Sequence, residues 1–404
     1  MLYATHLTID LDAVRHNARV IRAKAGDRLL LAAVKADGYG HGAVEISRLL
    51  EREQLVDWLG VATVPEAIAL REAGIGLPIL KLSHAFAEEI PAALDAELTL
   101  TVVDDESLGE VAAAARARVR PTRVHMAIDT GMRRIGCEPE RAVELARQVT
   151  DSGLELEGIS THLPVSDTPQ GKDFTVAQIA EFMAAVARVQ SDRTSHGLAP
   201  VPLVHGAASA GAMWHDISGM TMVRPGIILY GLYPDPATPR TVALRPALTM
   251  RSRVSLVKHV RAHETVGYGR SWEAPTDRWI GTVPVGYADG FNRLNSNRGR
   301  MLVNGRSFPV AGRVCMDQTM LDLGESDDHG VHRGDEVVVI GSSGAESIDC
   351  DELARLAGTI NYEVTTVIPP RVRRYYMNGA GDAGTSSSGS GSTGVEDSGN
   401  SSAS

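Results

Sequence analysis

The chain has 404 residues and a mass of 43.1 kDa, more than one ordinary core supplies, so we expect two domains, one of them large enough for a barrel. This length excludes a peptide-sized module, and the 43% hydrophobic and 22% charged residues are a globular composition. Fifty acidic and forty basic residues give a net charge of −10, which argues against a broad nucleic-acid or anionic-membrane surface. Small molecules are therefore the expected partners.

The cysteines and the lengths of the apolar runs bear on the cellular location of the protein. Cys137, Cys315 and Cys350 lack CxxC spacing, so neither a disulfide framework nor a structural zinc site is indicated. The first twenty residues contain no apolar run of signal length, and no later run approaches the roughly 20 residues of a membrane span. We therefore expect a cytoplasmic protein with no membrane partner and no bound metal.

Eight short apolar runs occur in the first two thirds of the chain. They are Leu29–Val34, Trp58–Ala62, Pro78–Leu82, Leu98–Val103, Arg123–Ile128, Leu154–Thr161, Val201–His205 and Thr221–Arg224. Stretches of helical period separate them, with Thr63 and Asp104 placed as N-caps and Gly74 as a C-terminal stop. Eight βα units predict an α/β fold with a (β/α)8 TIM-type barrel. A doubly wound sheet is the alternative, because strand counts from pattern alone err by about one or two.

The pattern changes after about Pro236, where helical periodicity nearly vanishes and β-branched runs appear. Asn304-Gly305 between two such runs predicts a hairpin. We therefore predict a barrel over residues 1–238, with residues 1–10 pairing instead with a mainly antiparallel β domain over 239–376. Residues 377–404 are predicted to be a disordered tail, because their Gly/Ser-rich sequence offers almost no apolar surface to offset ordering entropy.

Lys35 lies where the first barrel strand reaches its carboxyl end, the rim on which barrel active sites are built. Partial desolvation there lowers the pKa of a lysine, so that a neutral amine can attack a carbonyl and form a Schiff base. A lone lysine at this position is more often a side chain that simply reaches solvent. Lys35, however, is followed by Gly38, Gly40 and Gly42, which predict a flexible loop able to approach a ligand closely.

The segment VKADGYGHG (34–42) resembles the cofactor-lysine motif of the alanine racemases, a family of pyridoxal 5'-phosphate (PLP) enzymes with a barrel followed by a β domain. The similarity runs from about Thr8 to Tyr375, and the further motifs arrive in family order. They are IDTGMRRIG, GISTHLP, VRPGIILYG, VGYGRSW, VPVGYADGFNR, GRVCMDQT and NYEV. The resemblance implies that Lys35 binds PLP covalently.

The resemblance also implies the remaining cofactor contacts. Arg224 matches the arginine that faces the pyridine nitrogen of PLP, and because an arginine does not readily give up a proton, the ring stays largely unprotonated. His162 would lie against the ring. The phosphate would be held by the side chains and backbone N–H groups of Tyr39, Ser209, Gly226, Ile227 and Tyr362. Ala208 stands where the family usually has Asn, so one polar support is missing.

His162 and His205 both follow barrel strands and could in principle bind a metal. The chain has no HxH after an early strand and no HExxH, so metal ligation is the poorer explanation. For either histidine alone, a structural role is about as probable as a functional one.

Racemisation requires a base on one face of the α-carbon and an acid on the other, and Lys35 can serve only one face. By resemblance, Tyr268 is the opposite-face residue and comes from the partner subunit, which implies a homodimer with shared sites. Met316 and Asp317 would lie nearby on that partner domain, with the Met316 N–H offered to the substrate carboxylate. Tyr287 would narrow the entrance together with Tyr362.

Ala127 is a departure from the family pattern KxDTGMxR, in which a lysine carbamate positions a substrate-binding arginine. Arg134 is retained, but an alanine bears no carbamate. Another acceptor or a bound anion would then hold Arg134, or the site recognises its substrate differently.

We therefore predict a PLP-dependent alanine racemase that uses Lys35 and Tyr268, with a broad-range or serine-preferring amino-acid racemase as the alternative. A related decarboxylase with a barrel and a β domain is a further alternative. A PLP carrier without turnover would lack the β domain and Tyr268.

Overall fold

The computed structural model describes residues 3–116, 118 and 120–378, and this part of the chain begins with strand β1 (His6–Asp10) and helix α1 (Leu11–Ala25). Eight parallel strands of one sheet follow: β2 (Leu29–Ala33), β3 (Trp58–Val61), β4 (Ile79–Lys81), β5 (Leu98–Val102), β6 (Arg123–Ala127), β7 (Glu155–Ser160), β8 (Leu203–His205) and β9 (Met222–Val223). The connecting helices are α2 (Lys35–Tyr39), α3 (Ala43–Arg52), α4 (Val64–Glu72), α5 (Ile90–Asp95), α6 (Asp105–Ala115), α7 (Ala142–Asp151), α8 (Lys172–Ser195) and α9 (Ser209–Trp214).

The sheet closes on itself. Its strand order is β8-β7-β6-β5-β4-β3-β2-β9, and β9 returns to β8 because the Thr221 N–H donates to the Val204 carbonyl at 2.9 Å. Every predicted apolar run contains one of these strands, and the TIM-type barrel is confirmed. A doubly wound sheet is excluded because the first and last strands meet.

Capping side chains start two of the helices as predicted. The Thr63 hydroxyl accepts from the Glu66 N–H to begin α4, and the Asp104 carboxylate accepts from the Ser107 N–H to begin α6. Gly74 takes a left-handed conformation (φ 85°) just after α4, which lets the chain turn out of the helix.

The second part of the chain is mainly antiparallel. Its strands are β10 (Leu248–Arg253), β11 (Leu256–Val260), β12 (Thr265–Val266), β13 (Trp272–Glu273), β14 (Arg278–Val283), β15 (Arg300–Val303), β16 (Arg306–Pro309), β17 (Thr319–Gly324), β18 (Glu336–Ser343), β19 (Glu346–Ile348) and β20 (Arg373–Met377). The predicted hairpin joins β15 to β16, with positive φ at Asn304 (50°) and Gly305 (75°). Strand β1 pairs with β10 and β20, so the amino-terminal strand belongs to this sheet.

Two helices in this part were not anticipated from sequence: α10 (Cys350–Ala357) and α11 (Asn361–Thr366). Helix α11 reaches the barrel rim, where the Thr365 carbonyl packs against Gly40. The contact is so close that a Cβ added at Gly40 would lie 2.1 Å from that oxygen. The second domain therefore supplies part of the wall above the barrel.

The predicted tail falls almost wholly outside the described residues. Strand β20 includes Met377, where we placed the start of the tail, because it pairs in parallel with β1. Residues 379–404 are not described. Within the described residues, no helix is both long and apolar enough to cross a membrane.

Candidate active site

Lys35 opens a left-handed turn rather than the flexible loop predicted from its glycines. Ala36, Asp37, Gly38 and Tyr39 all have positive φ (52°, 52°, 62° and 53°), an arrangement that costs energy for residues with a Cβ. Side chains hold the turn: the Glu66 carboxylate accepts from the Ala36 N–H at 2.7 Å, and Asp37 accepts from the Ala43 N–H at 2.8 Å. These hydrogen bonds hold the backbone around Lys35 in its left-handed conformation.

The Lys35 side chain lines a cavity at the carboxyl end of the barrel strands, together with Ala127, Arg134, His162 and Arg224. Burial lowers the pKa of Lys35, and the nearby Arg134 guanidinium lowers it further. Its Nζ has no hydrogen bond or ion pair within the described residues. Lys35 is therefore partly buried at the barrel rim, and its covalent role stays a prediction.

Arg224 is buried and held by carbonyl and imidazole acceptors. Its Nη1 donates to His205 Nδ1 at 2.6 Å, and its Nη2 donates to the Thr161 carbonyl at 2.8 Å and to His162 Nδ1 at 3.2 Å. Nε has no partner among the residues described, and the side chain borders the Lys35 cavity. Burial lowers the pKa of Arg224 to about 10, so the side chain remains a cation and a pure donor at neutral pH.

Both rim histidines are neutral. Burial, with Arg224 adding to it, lowers the pKa of His162 to about 3 and lowers the pKa of His205 well below its ordinary value. Both ring nitrogens of His205 are engaged, one by Arg224 and the other by His125 at 2.8 Å. An arginine N–H at the ring excludes a metal ion from that nitrogen, so the geometry favours a hydrogen-bonding role for His205.

The five predicted phosphate contacts converge. The Gly226 N–H donates to Ser209 Oγ at 3.0 Å, and a Cβ at Gly226 would lie 2.5 Å from the Tyr39 hydroxyl. The rings of Tyr39 and Tyr362 lie 5.9 Å apart, and Ile227 follows Gly226 in a buried turn. Burial raises the pKa of Tyr39 to about 12 and also raises that of Tyr362, so both phenols are donors at neutral pH.

Arg134 lies at the border of the Lys35 cavity. It is exposed, and it makes no hydrogen bond or ion pair to any residue the structure describes. Its neighbour Arg133 pairs with Glu138 at 3.2 Å. Ala127 is buried at the end of β6 and supplies no acceptor, so the described chain offers nothing that orients Arg134.

The predicted β-domain residues are exposed and lie outside the Lys35 cavity. Tyr268 is 71% exposed, Met316 53% and Tyr287 42%. The Tyr287 N–H donates to the Cys315 carbonyl at 3.1 Å, and Asp317 pairs with Arg371 at 2.7 Å. None of these side chains borders the cavity that contains Lys35.

A larger cavity, about 670 Å³, opens at the opposite, amino end of the barrel strands and includes Trp58, Arg71 and Arg123. None of the predicted site residues borders it. Size alone does not make this cavity the active site, because Lys35, Arg224 and the other predicted site residues lie at the carboxyl end of the barrel strands.

Three residues around the site were missed from sequence: Glu66, His125 and Glu157. Glu66 combines a helix-capping role with the clamp on the Lys35 turn. The Thr63–Glu66 spacing predicts the capping box, but no pattern predicts its link to Ala36, which lies 30 residues away. His125 and Glu157 are single polar residues in apolar strands, a signal that by itself indicates only that each needs a partner.

Two family models match the chain. Residues 9–234 match the alanine racemase N-terminal domain, and residues 247–376 match the alanine racemase C-terminal domain. An alanine racemase of Cutibacterium acnes is 48% identical over 374 residues, covering 92% of this chain and 98% of the relative.

Solved structures agree with the sequence matches. The alanine racemase of Streptomyces coelicolor A3(2) is similar with a TM-score of 0.84 and 36% identity, covering 93% of this chain and 99% of that one. The enzyme from D-cycloserine-producing Streptomyces lavendulae gives a TM-score of 0.85 and 35% identity, covering 94% and 98%. With both domain models matched in order and relatives covered nearly end to end, the chain belongs to the alanine racemase family.

Proposed function

We propose that the chain interconverts L- and D-alanine with PLP, as a cytoplasmic homodimer whose sites are built from two chains. The observation that carries the proposal is the convergence, at one barrel rim, of a desolvated lysine, a buried arginine and a cradle of hydroxyl and backbone donors. Cys137, Cys315 and Cys350 are free thiols, which supports the proposed cytoplasmic location because cysteines stay reduced there.

The residues at the rim fit PLP. The space that a Cβ at Gly226 would fill is bordered by the Tyr39 hydroxyl, and Ser209 Oγ lies 3.0 Å from the Gly226 nitrogen, so neutral hydroxyl and backbone groups suited to a phosphate lie side by side. Arg224 Nε would face the pyridine nitrogen, His162 would lie against the ring, and Lys35 Nζ would hold the group covalently. When bound, PLP supplies an aldehyde carbon that combines with amines and a conjugated ring that accepts the electron pair left by a departing α-proton.

Lys35 is the proposed base for one face of the α-carbon. Its lowered pKa leaves a larger fraction of neutral amine at a given pH, which suits proton transfer at Nζ. The surrounding cations Arg134 and Arg224 favour a substrate carboxylate in the same cavity.

Tyr268 is the proposed proton carrier for the other face, supplied by the partner subunit. A side chain that is 71% exposed and outside its own chain's Lys35 cavity needs a second chain to act there. Met316, Asp317 and Tyr287 occupy the same exposed region and would accompany it. Met316 N–H would bind the substrate carboxylate, and Tyr287 with Tyr362 would narrow the entrance.

The shared-site proposal is tested by mixing two inactive variants. Lys35→Ala and Tyr268→Phe chains are unfolded together, refolded and assayed for D-alanine formation. A mixed dimer has one site with both substitutions and one with neither, so we expect up to about half of the wild-type activity per mixed dimer. Exchanged heterodimers that stay inactive would contradict the sharing of sites. Each variant refolded alone is the control.

The alternative, a broad-range or serine-preferring racemase, is favoured by one observation. Arg134 has no partner in the described part of the chain, and Ala127 leaves room at the cavity where the family has a longer side chain. A less firmly held arginine would select less sharply among substrates.

Ala127→Lys tests this alternative. If the lost side chain limits selectivity, restoring a lysine changes the ratio of kcat/KM for alanine to that for serine by about tenfold, the value of one well-placed polar contact. Larger amino acids are assayed alongside. Unchanged ratios for all substrates would refute the idea that Ala127 broadens the range.

A further inference from the structure

Four buried polar side chains form a line through the barrel interior, which we name the barrel relay: Arg224, His205, His125 and Glu157. Arg224 Nη1 lies 2.6 Å from His205 Nδ1, and His205 Nε2 lies 2.8 Å from His125 Nδ1. His125 Nε2 lies 3.7 Å from Glu157 Oε2, a close approach longer than a hydrogen bond, and this nitrogen has no hydrogen-bond partner among the described residues. The exposed fractions of the four residues are 9%, 1%, 0% and 9% in that order.

The order of the protons along the relay follows from what each group can do. An arginine only donates, so His205 Nδ1 must accept, and a neutral imidazole then carries its proton on Nε2. That proton is donated to His125 Nδ1, which places the proton of His125 on Nε2, facing the Glu157 carboxylate. Burial lowers the pKa of both histidines, which supports neutral rings.

The strands are built to accommodate this line. A Cβ at Gly158 would lie 2.6 Å from His125 Nδ1, so the imidazole occupies the space that any larger residue would take on the neighbouring strand. At the far end, Glu157 Oε2 accepts from the Thr99 hydroxyl at 3.3 Å, and Oε1 lies 3.4 Å from Arg123 Nη1. Each contact of the carboxylate is with a donor.

We propose that His125 and Glu157 are positioning residues: they hold His205 in the tautomer that accepts from Arg224, and so keep the Arg224 guanidinium turned with Nε toward the Lys35 cavity. The opposite tautomer would direct an imidazole N–H at an arginine N–H across 2.6 Å. This inference rests on the proposed function for its catalytic consequence, but the proton order itself is a property of the folded chain.

Glu157→Gln is designed to reverse the proton order. Arg123 near Oε1 can only donate, whereas the Thr99 hydroxyl near Oε2 can donate or accept, so we expect the amide NH2 of glutamine at the position of Oε2, where it would donate to His125 Nε2. The readout is the 15N signals of the histidine rings in the full-length chain, recorded with and without added PLP and assigned by the loss of signals in His125→Asn and His205→Asn.

We expect protons on Nε2 of both His125 and His205 in the wild-type chain, and an Nδ1-protonated population of His125 in Glu157→Gln. A wild-type His125 that carries its proton on Nδ1, or ring signals that do not change in Glu157→Gln, would overturn the proposal. Glu181→Gln is the control, because Glu181 is exposed on α8 and makes no hydrogen bond or ion pair among the described residues.

Two variants of His125 distinguish a hydrogen-bonding role in the relay from a role in packing alone. In His125→Asn the amide oxygen can still accept the His205 proton, whereas His125→Leu fills a similar volume and accepts nothing. We expect His125→Leu to lower kcat about tenfold, the effect of one hydrogen bond, with KM nearly unchanged, and His125→Asn to recover most of that loss. Equal losses in both variants would assign His125 to packing and refute the positioning role.

The ring-nitrogen experiment is also performed without the cofactor, so failure of the relay is distinguishable from failure of the proposed function. A wild-type chain with the expected tautomers and no racemisation contradicts the function alone. A wild-type chain that racemises alanine with the wrong tautomers contradicts the relay alone.

Discussion

Tyr39 and Tyr268 are both phenols proposed for the site, yet Tyr39 is 8% exposed whereas Tyr268 is 71% exposed. Tyr39 lies at the barrel rim, where the backbone is clamped and the donors already converge. Tyr268 lies on the β domain, where nothing in its own chain's Lys35 cavity touches it. We therefore propose that one chain suffices to bind the cofactor, whereas proton transfer to the second face of the substrate needs two chains.

The largest effect is expected for Lys35→Ala. Losing both the covalent attachment and one proton carrier should lower racemisation by at least about 10⁴-fold, the upper range for a single acid–base group. We expect the wild type to show an absorbance band near the visible edge that borohydride reduction removes, and this band should be absent from the variant. Lys81→Met is the control, because Lys81 is also buried at a barrel strand end. A retained band in Lys35→Ala would place the cofactor bond elsewhere.

Tyr268→Phe should impair proton transfer at the second face while leaving cofactor binding intact. We expect kcat to fall by about 10²- to 10⁴-fold, because a phenyl ring cannot carry a proton. The absorbance band and the affinity for PLP should stay as in the wild type. Tyr375→Phe, another exposed phenol of the β domain, is the control. Undiminished racemisation by Tyr268→Phe would remove the two-base mechanism.

Tyr39→Phe should weaken PLP binding without abolishing turnover at saturating PLP. Loss of one charge-assisted hydrogen bond to a phosphate corresponds to about a tenfold to hundredfold rise in Kd. Titration of the cofactor-free chain with PLP measures it. Tyr233→Phe is matched, since its hydroxyl donates to the Val242 carbonyl at 2.6 Å outside the site. An unchanged Kd for Tyr39→Phe would remove Tyr39 from the cradle.

In Glu66→Gln the amide oxygen can still accept from the Ala36 N–H that clamps the turn, so we expect the smallest change of the series, a shift in the pH dependence of Lys35. The Glu66 carboxylate raises the pKa of Lys35 and partly opposes the dominant effect of burial. Removing its charge disfavours the ammonium form, so the pKa falls and the neutral amine persists to lower pH. Acylation of Lys35 in the cofactor-free chain, followed by mass spectrometry against pH, reports this, with Glu45→Gln as control. A shift to higher pH would contradict the sign of the interaction.

Much of the architecture was predictable because it is encoded locally. The apolar runs, the caps at Thr63 and Asp104, and the Asn304-Gly305 turn each depend on residues within a few positions of one another. The left-handed turn after Lys35 was not predicted, since Ala36 and Asp37 adopt positive φ only because Glu66 and other distant groups hold them. Helices α10 and α11 were missed because they are short and embedded among β-branched runs.

By itself, the order of residues determined the barrel, the trailing β domain and the lysine at the rim, since periodicity and motif spacing act over short stretches of chain. Tertiary structure alone decided which side chains meet: Arg224, His205, His125 and Glu157 come from four separate segments and line up only when the sheet closes. It also decided that Arg134 has no partner among the described residues and that Tyr268 faces outward. The reason is physical: contact, burial and proton order depend on distances across the fold, which no local pattern specifies.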